Sequence, residues 1–313
     1  MSKQKIICVV GPTASGKTEL GVGIAQAIGG EVISADSMQI YCGMTIASAA
    51  PTAEEMMGVP HHLVEFLPYG ESFTVAQYVE IARQKITDII SRGKIPVIVG
   101  GTGLYINSLV DNIEFAPQSE TEELRRKITE RFEEIGAEEM LNSLREIDPA
   151  AADKLHPSDK RRIIRAFEIY EGTGMTPSEH NTLSRKNESP FDAVMIGINY
   201  RERQRLYDRI NLRVDKMLEA GLLNEARAAY MQSSSMEKSG AVQAIGHKEL
   251  FPYFEGTEEL DVSVERLKQS SRRYAKRQIT WFSRDNRINW IYRDECEDTL
   301  SAALGIVKSK GEE

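Results

Sequence analysis

Hydrophobic positions in the first hundred residues fall into short apolar runs that alternate with longer stretches at helical spacing. The apolar runs predict strands at 5–10, 31–36 and 95–101, with a weaker strand at 62–66. The helical stretches, 17–28 and 73–93, each end next to glycine, which is a common helix stop. Strands that alternate with helices indicate a parallel sheet in an α/β domain.

The pattern changes after Phe115. Residues 119–185 are highly charged, apolar at helical spacing, and lack a clear strand, whereas strand patterns return at 192–200 and 288–293. We therefore predict one sheet interrupted by a helical insertion. The predicted division is a first part of the core at 1–118, an insertion domain at 119–190, and a second part of the core at 191–313, which carries basic helices.

A glycine-rich loop follows the first predicted strand and opens the first predicted helix. Its sequence, GPTASGKT, matches the P-loop pattern and consists of Gly11, Pro12, Thr13, Ala14, Ser15, Gly16, Lys17 and Thr18. In such a loop backbone N–H groups and the helix N-terminus bind phosphate oxygens, the lysine adds a cation, and the Thr18 hydroxyl can bind Mg²⁺. The fold prediction is therefore an α/β, P-loop NTPase-like parallel sheet core with helices on both faces and a helical insertion domain.

An acidic residue, Asp36, ends the second predicted strand, at the edge of an open sheet where ligands bind. It could act as a general base, hold magnesium indirectly, or cap the following turn through Ser37. The strand at 95–101 ends in glycines and Thr102 instead of an acid, which argues against a nucleotide-hydrolysing motor or switch. Thr102 could donate a hydrogen bond to a ligand.

Composition and charge narrow the class of protein. The formal net charge is −8, yet the stretch 265–293 holds nine Lys or Arg against two acids. The basic runs at 160–165 and 272–284 suit either a phosphate backbone with unpaired bases or a solvated amphipathic helix. No apolar run reaches the roughly 20 residues that span a bilayer. Three scattered cysteines without C-x-x-C spacing favour a reducing cytoplasm, and the five histidines lack metal-ligand spacing.

Six segments stand out along the chain: GPTASGKT (11–18), ISADSMQIY (33–41), VIVGGTGLY (97–105), HPSDKRRIIRAFEIY (156–170), QAIGHKEL (243–250) and AKRQITWF (275–282). In their order and spacing they resemble one enzyme family, the tRNA dimethylallyltransferases. The resemblance covers nearly the whole chain, and DSMQIY and KRQITWF are its most specific motifs. It departs from the family at His247, where tyrosine is common, and at Ser283, where arginine is common.

The resemblance implies a substrate pair, dimethylallyl diphosphate and the anticodon stem-loop of tRNA, with Mg²⁺ as cofactor. The P-loop would hold the diphosphate, Asp36 would be the general base for the adenine N6 amine, and Thr102 would lie beside the base. The tRNA contacts implied are Asp36, Ser37, Met38, Gln39, Thr102, Arg125, Arg161, Arg162, Ile163, Ile164, Arg165, Gln243, Lys248, Lys276, Arg277, Gln278 and Trp281. A cytoplasmic monomer without membrane association is expected.

Other functions also fit parts of the chain. A small-molecule or nucleoside kinase would place ATP in the P-loop and use Asp36 to activate a hydroxyl, but would give the basic runs no role. Prenyl transfer to free AMP or ADP is a close variant of the leading hypothesis. An RNA-binding protein with a vestigial nucleotide site is the non-enzymatic alternative, against which the intact Lys17 and Thr18 argue.

Overall fold

The computed structural model describes residues 3–115, 121–233 and 240–310, apart from the side chains of Thr121, Ser233, Val242 and Gln243. The chain divides into two compact units. Unit 1 combines Met1–Val110 with Pro190–Glu313, and unit 2 is Asp111–Ser189. None of the helices in the described ranges has the length and apolar character that crossing a bilayer requires.

Unit 1 contains a parallel sheet, for which the described residues supply six strands. These are β1 Gln4–Val10, β2 Glu31–Ser34, β3 His61–His62, β4 Pro96–Gly100, β5 Phe191–Asn199 and β6 Asn289–Tyr292. Their order is β3-β2-β4-β1-β5-β6, so the first strand of the chain lies inside the sheet between β4 and β5. Every neighbouring pair is parallel. The predicted parallel sheet of an α/β protein is confirmed.

Helices precede the insertion in the first half of unit 1. They are α1 Lys17–Ile28, α2 Thr45–Ser48, α3 Ala53–Met56, α4 Val75–Ser91 and α5 Gly103–Val110. Successive side chains along a strand point to opposite faces of the sheet, so the buried strands have an apolar layer on each face. Ile7 and Val9 pack with Leu20 of α1 in one cluster, while Ile6 and Cys8 are fully buried on the other side of β1.

Helices are the only regular secondary structure among the described residues of unit 2. Its helices are α6 Thr121–Ile135, α7 Ala137–Ile147, α8 Pro149–Ala152, α9 Lys160–Thr173 and α10 Pro177–Leu183. Ile128, Phe132, Met140 and Phe167 form its buried core, which explains the helical spacing of apolar residues in this part of the chain. The Asp148 carboxylate accepts the N–H of Ala151 at the start of α8.

The second half of unit 1 completes the sheet and adds the longest described helix. Its helices are α11 Arg203–Glu219, α12 Leu222–Ser233, α13 Phe251–Phe254, α14 Leu260–Phe282 and α15 Thr299–Ser309, with short 3₁₀ turns at Gly240–Gln243 and Lys248–Leu250. Ala303 and Val307 of α15 join the same apolar cluster as α1.

The weak strand predicted at 62–66 is wrong in its extent, because the strand comprises only His61 and His62. Leu63 and Glu65 have positive φ angles of 60° and 47°, which turn the chain out of the sheet. The two histidines have separate partners, as adjacent strand residues should. His61 Nδ1 lies 2.8 Å from the Val59 carbonyl, and His62 Nε2 lies 2.7 Å from the Glu31 carboxylate.

Candidate active site

The P-loop connects β1 to α1 with a backbone that only certain residues tolerate. Gly16 has a φ of 93° and immediately precedes α1, and Ala14 is also left-handed at 62°. The positive φ at Gly16 favours glycine, and a Cβ there would also displace the Arg293 guanidinium, which would lie 1.9 Å away. The loop thus places backbone N–H groups and the N-terminus of α1 at one point, which is the chemistry that binds phosphate.

Lys17 is folded back over this loop. Its ammonium donates to the Pro12 carbonyl at 3.3 Å. Burial lowers the pKa of Lys17 from its usual value to about 8, although the charge of Asp36 opposes that shift. A lysine that has lost much of its hydration is prepared to pair with an anionic ligand.

Asp36 and Thr102 meet just beyond the carboxyl ends of β2 and β4. The main chains are joined by a 3.1 Å hydrogen bond from Thr102 N to Ala35 O, and the Ser37 N–H donates to Thr102 Oγ1 at 3.0 Å. Asp36 Oδ1 accepts the N–H of Met38 at 2.9 Å, while Oδ2 accepts no hydrogen bond from any described residue. The carboxylate is therefore oriented by one oxygen and keeps the other for a ligand.

Helix α14 supports both the P-loop and the Thr102 turn. Gln278, buried, accepts the N–H of Thr13 at 2.8 Å and donates to the Gly101 carbonyl at 3.0 Å. One turn earlier, Tyr274 has its pKa raised by burial and then by the charge of Asp36, while its hydrogen bonds with Thr102 and Gln278 act in the opposite direction. Neutral Tyr274 therefore retains its phenolic proton beside the carboxylate.

Helix α11 contributes two arginines that sequence reasoning did not assign to the site. The charges of Asp36 and Arg213 interact, and burial lowers the pKa of Arg213. Arg209 donates to the Ala14 carbonyl at 3.1 Å and thereby holds the outer turn of the P-loop. The available signal was the recurrence of Arg205, Arg209 and Arg213 at four-residue spacing on one helical face.

These groups surround a cavity of about 270 Å³ inside unit 1. Charged and polar groups, most of them from the P-loop, the Asp36 turn, α11 and α14, line part of it, and apolar groups line the rest. The polar residues are Thr13, Lys17, Thr18, Asp36, Ser37, Gln39, Ser48, Arg213, Lys248, Ser271, Tyr274 and Arg277; the apolar ones are Met38, Ala47, Ala49, Ile210, Val214, Met217, Ala244, Ile245, Gly246 and Leu267. Such a cavity can hold a phosphorylated molecule with an apolar part.

The residues of unit 1 that were expected to contact tRNA fall into three groups: some line the cavity, one is buried, and others are exposed. Asp36, Ser37, Met38, Gln39, Lys248 and Arg277 line the cavity. Gln278 is buried and bonds to the protein itself, so its side chain positions the loops rather than facing RNA. Trp281 is 42% exposed and donates to Asn107 at 2.8 Å, and Lys276 is exposed. The side chain of Gln243 lies outside the described residues.

In unit 2 the predicted contacts separate into exposed and buried side chains. Arg125, Arg161, Arg162 and Arg165 are exposed, with Arg125 and Arg165 both paired to Glu168. Ile163 and Ile164 are buried in the helical core, so their side chains cannot reach a nucleic acid without unfolding the helix. These two side chains pack α9 in the core of unit 2, so a contact of Ile163 or Ile164 with tRNA would have to come from the main chain, and it stays a prediction.

The site offers oxygen ligands that suit Mg²⁺. A second cavity of about 20 Å³ is lined by Lys17, Thr18 and Asp36 among others, so a hydroxyl and a carboxylate reach the same small space. Mg²⁺ commonly binds through one or two such side chains together with waters and substrate phosphates. No group of three or more His, Cys, Asp or Glu within the described ranges could hold a metal by itself. The donor set fits a cation that arrives with a phosphorylated substrate.

Comparisons with known proteins cover both units. A family model described as IPP transferase matches residues 39–285. The tRNA dimethylallyltransferase of Bacillus licheniformis is 47% identical over 290 residues, which is 93% of this chain and 91% of that protein. That of Thermoanaerobacter sp. strain X514 is 43% identical over 305 residues, 97% of this chain and 96% of the relative.

Solved structures agree with this similarity. The full-length tRNA isopentenylpyrophosphate transferase of Bacillus halodurans superposes with a TM-score of 0.72 at 40% identity, covering 99% of each chain. A eukaryotic dimethylallyltransferase, solved acting on tRNA, gives a TM-score of 0.84 at 33% identity, covering 98% of this chain and 78% of its own. The predicted P-loop NTPase-like α/β class is confirmed.

Proposed function

The chain belongs to the IPP transferase family, and we propose that it transfers a dimethylallyl group from dimethylallyl diphosphate to the N6 amine of the adenosine next to the anticodon in tRNA. The new bond joins N6 to the first carbon of the prenyl group, the carbon–oxygen bond to diphosphate breaks, and the amine loses one proton. The observation that carries the proposal is a single cavity lined by both the phosphate loop and a carboxylate, Asp36.

The P-loop end of the cavity accounts for the leaving group. Negative charge grows on diphosphate as its bond to carbon breaks, and preorganised donors stabilise that charge. Lys17, Thr13 and Thr18 line the cavity here, and Arg213 adds a second, partly buried cation. Mg²⁺ held by Thr18, with Asp36 acting on its hydration shell, would neutralise further charge when bound.

Asp36 is the group that would accept the proton lost by the adenine N6 amine. An adenine amine is a weak nucleophile, and a positioned base that accepts its proton is typically worth about 10²–10⁴ in rate. The Oδ2 atom has no protein partner among the described residues, while Oδ1 is held by the Met38 N–H. Thr102, fixed by Ser37 and by Tyr274, lies beside the carboxylate and is placed to orient the incoming base.

The adenosine has to leave its base stack to enter the cavity, as it does in other base-modifying enzymes. We infer that Arg277 and Lys248 contact the RNA near the cavity, since both line it and both carry positive charge. Lys276 and Trp281 on α14, and the exposed arginines of unit 2, would bind the anticodon stem-loop through its phosphates and unpaired bases. This function accords with a cytoplasmic monomer.

A transfer assay tests the proposal. Purified protein with Mg²⁺, radiolabelled dimethylallyl diphosphate and unmodified tRNA should place label on the tRNA without ATP. The same mixture with AMP or ADP in place of tRNA should give none. Absence of label in tRNA would overturn the proposal, and ATP-dependent phosphoryl transfer would instead favour the kinase alternative.

A further inference from the structure

Glu225 on α12 reaches across to the first turn of α2. Its carboxylate accepts two main-chain N–H groups, from Ile46 at 2.8 Å and from Ala47 at 2.9 Å. Burial favours the neutral acid, but hydrogen bonds from His247 and these two N–H groups outweigh it and lower the pKa of Glu225. An ionised carboxylate with two N–H donors is a strong, directional attachment.

His247 completes the attachment from a third segment. Its Nε2 lies 2.9 Å from the Glu225 carboxylate, and the ring is fully buried. Because the ionised carboxylate can only accept, Nε2 carries the hydrogen, and Nδ1 on the other side of the ring lies 3.5 Å from the Tyr69 hydroxyl. One partly buried carboxylate thus joins α2, α12 and the turn at 246–248.

The segments joined in this way form one wall of the large cavity. Ala47, Ala49, Ala244 and Ile245 all line it. The two segments touch at Gly246, whose φ is 113° and where an added Cβ would approach the Ala47 Cβ to 3.0 Å. Glu225 and His247 themselves are absent from the described lining of the cavity, so they act on it only through this wall.

The same wall is fastened at its other end to the turn that holds Asp36. The Ala49 carbonyl accepts a hydrogen bond from the Gln39 side chain at 3.0 Å, and the Gln39 oxygen in turn accepts from Ser34 at 2.8 Å. Segment 46–49 is therefore anchored to Glu225 on one side and to Gln39 on the other. Its position relative to Asp36 is set by two independent polar contacts.

Most of the wall is apolar. Its apolar lining consists of Ala47, Ala49, Ala244 and Ile245, and the same segments also contribute the Ser48 hydroxyl and, at the end of the turn, Lys248. The charged Lys17, Asp36, Arg213 and Arg277 line other parts of the cavity. Burying a branched five-carbon group against such a surface is favourable, while diphosphate belongs at the cationic P-loop. We propose that Glu225, together with His247, is a positioning residue that holds this wall against the hydrocarbon part of the prenyl donor.

The inference rests on the proposed function, and it makes a prediction that a general stabilising role does not. Loosening the wall should weaken contacts to the hydrocarbon and leave the diphosphate contacts intact. The Michaelis constant for dimethylallyl diphosphate should therefore rise while the inhibition constant of inorganic diphosphate stays unchanged. A global loosening of unit 1 would weaken both together.

The test compares Glu225→Ala and Glu225→Gln with Asn224→Ala, which alters the exposed neighbouring side chain on the same helix. At saturating tRNA, Glu225→Ala should raise the donor KM roughly 10-fold or more, as expected for loss of a charged hydrogen-bond network. Glu225→Gln, which keeps size and one acceptor, should have a smaller effect. Asn224→Ala should match the wild type.

Three measurements decide the outcome: donor KM, inhibition by inorganic diphosphate, and tRNA affinity by filter binding. An unchanged donor KM in Glu225→Gln and Glu225→Ala would overturn the inference, as would equal weakening of donor and inorganic diphosphate. If Glu225→Ala fails to fold, Glu225→Gln and His247→Gln carry the same comparison. Failure of the wild type to prenylate tRNA would be recognised separately, as failure of the proposed function.

Discussion

Gln278 accepts a hydrogen bond from the main-chain N–H of Thr13 at 2.8 Å, linking α14 to the P-loop across 265 positions of sequence. The other end of the same amide donates to the Gly101 carbonyl at 3.0 Å. One buried side chain therefore holds the phosphate loop and the Thr102 turn at a constant separation. A Cβ on Gly101 would lie 2.2 Å from the Gln278 nitrogen, so any larger residue there would displace the Gln278 amide from its hydrogen bonds.

We expect Gln278→Met, which preserves volume but removes both hydrogen bonds, to lower the free energy of unfolding by about 1–3 kcal/mol. Thr13 would lose its partner and the P-loop its support, so the donor KM should rise as well. Urea denaturation and steady-state kinetics measure the two effects. Thr280→Ala, an exposed site on the same helix, is the control. A donor KM unchanged in Gln278→Met would contradict the positioning role.

Asp36 accepts the Met38 N–H and is also the proposed proton acceptor, and two variants can separate these roles. Asp36→Asn can still accept the Met38 N–H but cannot take a proton, whereas Asp36→Ala loses both capacities. Both variants should reduce the single-turnover transfer rate by about 10²–10⁴-fold, while tRNA affinity stays close to that of the wild type. Near wild-type turnover in Asp36→Asn would remove the general-base role and leave Asp36 as a turn residue.

Lys17 should make the folded protein less stable at neutral pH than an uncharged residue would. Burial lowers its pKa from 10.5 to about 8, so folding disfavours the charged form. The resulting loss of folding stability is complete below the folded pKa of about 8. It disappears as the pH rises through the unfolded pKa of 10.5. Lys17→Met should therefore raise the free energy of unfolding at about pH 7 by on the order of 1–3 kcal/mol and abolish transfer.

Denaturation in phosphate-free buffer measures the effect of Lys17→Met, because phosphate in the P-loop would stabilise the wild type by mass action. The stability difference should shrink between about pH 8 and pH 10.5. A variant less stable than the wild type at neutral pH would show that Lys17 makes compensating contacts that outweigh its desolvation.

Glu31 should support the sheet edge through its charge. It is 2% exposed and is contacted by Arg92, by Lys94 at 2.8 Å and by His62 at 2.7 Å. The hydrogen bond from Arg92, first among several, holds the pKa of Glu31 far below its usual range despite burial. The resulting stability is fully present above the unfolded pKa of about 4.5 and is lost as the pH falls below it.

Glu31→Gln should therefore lower the free energy of unfolding by about 2–3 kcal/mol near neutral pH, with a smaller loss at about pH 3. Asp88→Asn removes the exposed partner of Arg92 and should lower the free energy of unfolding far less than Glu31→Gln does, because solvent screens this pair. Urea denaturation across this pH range checks both expectations. A difference between wild type and Glu31→Gln that does not change with pH would show that packing, not charge, is responsible.

Local spacing alone located most elements of the fold, because strand and helix periods are set by the backbone geometry of each element. The strands around 5–10, 95–101 and 192–200 and the helix that begins at Lys17 lie where the pattern indicated them. The length of the strand at His61–His62 was overestimated, because an apolar pattern does not reveal that Leu63 has a positive φ and turns the chain.

The P-loop and Asp36 could also be predicted from the sequence, because each motif consists of residues that are neighbours in the chain. The roles of Tyr274, Gln278, Arg213 and Glu225 were not, since each contacts groups far away in the sequence. A glutamine or glutamate on a helix has the same local signal whether it faces solvent or a buried carbonyl. Only the packing of α11, α12 and α14 beside the sheet decided which of these polar side chains lost their water and found protein partners instead.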